Sequence, residues 1–126
     1  MKHDIIGGNF TLADGTPLPL SKATRAGDLV FLSGQLGFDS SGALPEGVAL
    51  QTECCVKNIA NILEEASLDL SNVIKATVWL TDLNDFGAFN KVYKSAFPDS
   101  PPARSTVCSQ LALRGALVEI EVIAYG

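Results

Sequence analysis

Histidine is almost missing from this chain: its 126 residues include one, His3. A Ser-His-Asp or Cys-His mechanism needs an imidazole beside its nucleophile, and His3 stands alone near the start, where it reads as an exposed terminal residue. Metal ligands are equally scarce. With one histidine and no C-x-x-C pair, a zinc site has no ligand set. The three cysteines are odd in number, with Cys54 and Cys55 adjacent and Cys108 distant. They read as small buried or half-buried thiols, not as a disulfide framework. Neither G-x-G-x-x-G nor G-x-x-x-x-G-K-S/T occurs, so a phosphate cradle is unsupported. No apolar run approaches the roughly 18 residues of a membrane span. The opening residues lack the apolar stretch of a signal peptide, which makes the cytoplasm the expected location. Charge is sparse at 18% and its balance is acidic, 9 Lys plus Arg against 14 Asp plus Glu. A net charge of -5 makes a general electrostatic grip on nucleic acid a poor expectation.

What is abundant is apolar: 47% of residues are hydrophobic, the reverse of a disordered composition. The length suits one domain, 1–126, with a core that needs no disulfide or metal. Residues 3–6 and 9–12 read as short strands around Gly7-Gly8, and Asp14-Gly15 as a hairpin turn. Pro17 and Pro19 hold an extended stretch, 20–26 is weakly strand-like, and 29–33 is a buried strand. Residues 36–46 read as a loop. Over 47–66 the period changes: Val48, Thr52, Cys55, Val56, Ile59, Ile62, Leu63 and Ala66 repeat every three or four residues, an amphipathic helix. Residues 73–81 read as a strand. Asp82 precedes a helix near 85–96 whose Phe86, Phe89, Val92, Tyr93 and Phe97 share a face, and Pro98, Pro101 and Pro102 end it. Strands follow at 103–111 and 116–124. This order predicts an α+β domain, one mixed sheet with two helices on one face. Val107, Leu111 and the row Leu117, Val118, Ile120, Val122 leave apolar surface on the other face, for which self-association is one solution.

Any enzyme here works with carboxylates, arginine, hydroxyls and backbone groups, a set that favours activating water over covalent catalysis. Arg104, at the start of a strand, offers a fork for a carboxylate; the alternatives are an exposed strand end or an ion pair with Glu119 or Glu121. Glu119 and Glu121 are spaced by two and share a strand face, as a carboxylate pair or a solvated stripe. Asn90 and Tyr93 are i,i+3 on a helix, and Ser33-Gly34-Gln35 ends a buried strand.

Five segments then occur in a telling order. Phe31-Leu32-Ser33-Gly34-Gln35 resembles V-S-G-Q, and Thr77-Val78-Trp79-Leu80-Thr81-Asp82 resembles T-V-F-L-T-D. Asp85-Phe86 through Asn90-Lys91-Val92-Tyr93 resembles D-F-x-x-x-N-x-x-Y. Pro102-Ala103-Arg104-Ser105-Thr106-Val107 resembles P-A-R-S-x-V, and Leu117-Val118-Glu119-Ile120-Glu121 resembles V-E-I-E. Together they resemble the Rid (YjgF-type) family of reactive-intermediate deaminases, over roughly residues 20 to 125.

The resemblance implies a chorismate-mutase-like α+β fold and a homotrimer with clefts between subunits. It implies cofactor-free hydrolysis of 2-imino and enamine acids, of the 2-iminobutanoate and 2-iminopropanoate type, to 2-keto acids and ammonia. Arg104 matches the arginine that grips the substrate carboxylate, and Glu119 the glutamate beside the catalytic water. Ser33 and Asn90 match cleft-lining positions, and the backbone around Thr106 and Val107 is expected to contact the substrate nitrogen or the water. No nucleic acid, membrane or metal partner is implied. One departure stands out: where deaminating members carry G-P-Y-S-Q, this chain has Leu18-Pro19-Leu20-Ser21-Lys22, so Leu20 takes the place of a cleft tyrosine. A non-catalytic, carboxylate-binding or regulatory trimer is the alternative this opens; an endoribonuclease or translation inhibitor is a weaker one.

Overall fold

The computed structural model describes residues 3–126. Its strands form a single seven-stranded sheet, ordered β1-β2-β3-β7-β5-β6 with the short β4 also paired to β7. The strands are β1 Asp4–Thr11, β2 Pro17–Ala26, β3 Leu29–Leu32, β4 Gln35–Leu36, β5 Val73–Leu80, β6 Ala103–Cys108 and β7 Val118–Tyr125. All neighbours are antiparallel except β5 and β6. The crossover joining that parallel pair carries α2, Phe86–Ala96, while α1, Val48–Glu65, links β4 to β5.

The glycine pair near the start does not separate two strands. β1 runs through Gly7 and Gly8, whose φ values of 77° and 67° form an irregularity where the register to β2 slips between Ile6 and Asn9. Gly15, at φ 89°, turns the chain into β2, and Asp14 Oδ1 accepts from the Thr16 amide at 2.9 Å. Pro17 opens β2, where a strand tolerates a missing N–H. The loop expected from residue 36 begins with a strand instead, since Gln35 and Leu36 pair with Ile120 and Glu119. Asp82 caps a 3-10 turn over Leu83–Asp85, and α2 starts directly after it. β6 stops at Cys108, short of residue 111, because its partner β5 ends at Leu80.

Both helices cover one face of the sheet. Ile59 and Leu63 of α1 and Phe89 and Tyr93 of α2 are buried with Val30, Ala76, Val78, Leu80, Val118, Ile120 and Val122. This corrects the expected leftover surface: Val118, Ile120 and Val122 face the helices, and strand alternation sends Glu119 and Glu121 to the open face. The exposed large apolar residues there include Phe31, Leu20 and Val107, at 39%, 40% and 43%, and Tyr125 at 56%. They are spread along the sheet and leave it without a cover of its own.

A buried amide ties the loops together. Gln51, 2% exposed, donates through Nε2 to the carbonyls of Pro45 and Gly115, both at 3.0 Å, and accepts from the Leu117 amide at 2.9 Å. No apolar pattern announces it. Gln51→Leu keeps the bulk but strands three backbone groups, so a loss of about 3 kcal/mol or more is expected in urea unfolding. Cys55 is also buried, its thiol directed at the carbonyl of Gln35 at 3.3 Å, and burial pushes its pKa far up, so it stays protonated. Cys108 is exposed and Cys54 half-buried, and all three cysteines are free.

Candidate functional site

β6 is an edge strand, paired on one side only, and the prolines at 101 and 102 lead the chain into it extended. Register settles where its side chains go. Arg104 lies opposite Ala76 and Thr106 opposite Val78, both core-facing positions, so Arg104 and Thr106 take the helix side. Ser105 and Val107 lie opposite Thr77 and Trp79 and take the open side.

Arg104 rests on aromatic rings from α2. Its guanidinium carbon is 4.8 Å from the Tyr93 ring centroid, 5.5 Å from Phe89 and 5.7 Å from Phe86. The spacing 86, 89, 93 puts these rings on one helical stripe. Cation–π contact stabilises the charge without consuming its N–H donors. Among the described residues, no carboxylate forms a salt bridge with it and no acceptor takes its donors, so neither proposed ion pair, with Glu119 or with Glu121, is formed. The Tyr93 hydroxyl is buried beside it without a hydrogen-bond partner among the described residues. Burial raises the Tyr93 pKa, and Arg104 pulls it the other way. Asn90 is half-buried on α2, one residue beyond Phe89.

The second group of residues sits across the sheet. A groove of about 680 Å³ on the open face is lined by Leu18, Leu20, Ser21, Phe31, Ser33 and Glu121, among others. Leu20 is 40% exposed and gives the groove an apolar wall. Ser33 donates from Oγ to the Ser21 carbonyl at 2.6 Å, which fixes the hydroxyl and leaves its lone pairs for a ligand. His3 is exposed, as expected, yet it also lines the groove. Glu119 lies on the same face as Glu121, two residues along β7. Its carboxyl pKa is raised, first by burial and then by Glu121.

The expected site residues therefore form two sets. Arg104, Thr106 and Asn90 belong to the helix side, while Leu20, Ser33, Val107 and Glu119 belong to the open side, with β5 between Arg104 and Glu119. Phe86 and Phe89 beneath Arg104 were read only as a core stripe; the sequence signal was their spacing, but nothing in it indicated which strand would lie across them.

Comparison with known proteins agrees with this architecture. The family model described as Endoribonuclease L-PSP matches residues 15–126. A 2-iminobutanoate/2-iminopropanoate deaminase of Mus musculus is 44% identical over 108 residues, covering 84% of this chain and 80% of the relative. A RutC family protein of Pyrococcus abyssi is 41% identical over 109 residues, covering 85% and 86%. The crystal structure of RidA from the Antarctic bacterium Psychrobacter sp. PAMC 21119 superposes with a TM-score of 0.87 at 37% identity, covering 98% of this chain and 99% of that one. A family match over most of the domain, relatives above 40% identity and a shared fold lead to one conclusion: the chain belongs to the endoribonuclease L-PSP family, the Rid family that its five motif segments resemble.

Proposed function

We propose that this protein hydrolyses reactive 2-imino acids, of the 2-iminopropanoate and 2-iminobutanoate type, to 2-keto acids and ammonia. The observation that carries this reading is Arg104: a guanidinium held on three aromatic rings with no carboxylate paired to it among the described residues. A planar fork held this way is suited to take a substrate carboxylate bidentately. The relatives named as 2-iminobutanoate/2-iminopropanoate deaminases support the same chemistry.

The reaction asks little more of the protein. A protonated imine carbon is already electrophilic, so positioning a water on it supplies much of the acceleration. Glu119 takes a proton from that water as its oxygen bonds to the imine carbon, giving a carbinolamine. The proton passes from Glu119 to the nitrogen, the C–N bond breaks, ammonia leaves, and the hydroxyl returns its proton to Glu119 as the carbonyl of the keto acid forms. An enamine enters the same route after tautomerising to the imine. Ser33 and Asn90 line the site, and the Thr106 and Val107 backbone, on an unpaired sheet edge, meets the nitrogen or the water.

Arg104 and Glu119 occupy opposite sides of the sheet. The working site is therefore shared, with Arg104 from one copy facing the open groove of the next in a homotrimer. Imine generated by an amino-acid oxidase, with the survivor trapped by semicarbazide, reports the activity. Arg104→Ala and Glu119→Gln, each expected to keep about a hundredth or less of the wild-type activity alone, should complement when unfolded and refolded together. Random mixing restores about a quarter of the sites. No recovery in mixed trimers would place both residues in one subunit's site and overturn the shared arrangement.

Leu20 favours one further reading. It gives the groove an apolar wall where a hydroxyl would bind a polar substrate group, as suits a trimer that binds small carboxylates without turnover. Carboxylate binding by calorimetry with no hydrolysis of any imine would select it. The family's ribonuclease description finds little support in a chain of net charge -5.

A further inference from the structure

We infer that Gly34 is a positioning residue, its missing side chain being the seat of the Glu119 carboxylate. A Cβ built on Gly34 would overlap Glu119 Oε2, and the next nearest atoms, Cδ at 2.9 Å and Cγ at 3.1 Å, belong to the same side chain. The backbone does not demand glycine here. Eight glycines of the chain have positive φ, and Gly34 is not one of them. An alanine would adopt this conformation without strain. What excludes it is the volume that Glu119 occupies.

The surrounding structure makes this a fixed seat. Gln35 and Leu36 pair with Ile120 and Glu119, so the strand carrying the carboxylate and the segment that receives it are locked in register. On the helix side, the Cys55 thiol reaches the Gln35 carbonyl at 3.3 Å and the Val118 carbonyl at 3.9 Å, pinning both segments to α1. Ser33, the residue before Gly34, is fixed by its bond to the Ser21 carbonyl. The carboxylate is thereby held beside the groove, partly withdrawn from water. The titratable and charged neighbours are Glu121 on the same strand and the protonated Cys55 of α1, while β5 places the uncharged Trp79 opposite Glu119. Burial and Glu121 are the causes of the raised Glu119 pKa, so the seat also sets its protonation.

This inference rests on the reading of Glu119 as the water-orienting group, and a double-mutant cycle separates the two. Gly34→Ala should lower kcat for 2-iminopropanoate roughly 10- to 100-fold, the scale of a misplacement near 1 Å, with KM changed less than about twofold. In a Glu119→Ala background, which has no side-chain atom beyond Cβ for the new methyl to displace, the same substitution should cost less than about twofold in the residual rate. An equal cost in both backgrounds overturns the seat. Carboxyl 13C titration of the folded protein gives a readout without turnover. With wild type, Glu119 titrates above the ordinary glutamate range; with Gly34→Ala, displaced toward solvent, it should return toward that range. An unmoved titration overturns the inference, including where Gly34→Ala fails to lower kcat. Full activity in Glu119→Gln, together with a shifted Glu119 titration in the Gly34→Ala single variant, would instead sink the catalytic reading and leave the seat standing.

Discussion

Arg104→Ala is expected to lower kcat/KM for 2-iminopropanoate hydrolysis by roughly 100-fold or more, a loss of about 3 kcal/mol. The arginine is held in place by α2, with ring centroids of Tyr93, Phe89 and Phe86 between 4.8 and 5.7 Å from its guanidinium carbon. Its donors are therefore presented at little entropic cost, and removing them leaves the substrate carboxylate without its partner. Arg104→Lys keeps the charge but loses the fork and the flat stacking surface, so activity between the two is expected. Folding should survive both, because the buried rings pack on one another without Arg104: Phe89 and Tyr93 lie 5.4 Å apart and Tyr93 and Phe97 4.8 Å apart, while Phe86 is already 40% exposed. Steady-state kinetics beside far-UV circular dichroism checks both statements. A wild-type rate in Arg104→Ala would remove the deaminase reading of this site.

Glu119→Gln is expected to lower kcat roughly 100- to 10,000-fold, the range of a lost general base. It should also erase the acid limb of the pH profile. Burial, and after it Glu121, raise the Glu119 pKa, and the ionised form is the one that takes the proton from water. Activity should therefore fall as pH drops through a value above the ordinary glutamate range. Glu121→Gln, which removes the like charge, should move that inflection down. Stability runs in the opposite sense. A carboxyl whose folded pKa is raised contributes stability that is full below its unfolded pKa and lost as pH rises through the folded one. At neutral pH the ionised Glu119 is thus a destabilising group. Glu119→Gln should melt higher than wild type at pH 7, and the difference should shrink in acid. An active Gln variant with an unchanged profile would exclude Glu119 from the chemistry.

Much of the fold was legible in one dimension because its elements obey simple periods. The three- and four-residue spacing from Val48 to Leu63 marked α1, and the β-branched run from Val73 to Leu80 marked β5. Two-residue β4 was missed because so short a strand has no period; it exists through its pairing with β7. The apolar row of β7 was misplaced for a related reason. Alternation shows that Val118, Ile120 and Val122 share a face, but not which face the helices will cover.

The sequence by itself determined the family, through five ordered segments, and the identity of the groups available for chemistry: an arginine, two spaced glutamates, hydroxyls and almost no histidine. Tertiary structure decided how those groups stand. Register sent Arg104 and Glu119 to opposite sides of one sheet, and packing laid Arg104 across the stripe of α2. The approach of β4 to β7 turned an unstrained glycine into a space filled by a carboxylate. Residue type and local period are written along the chain. Face, register and close approach arise between segments distant in sequence, and only folding brings those together.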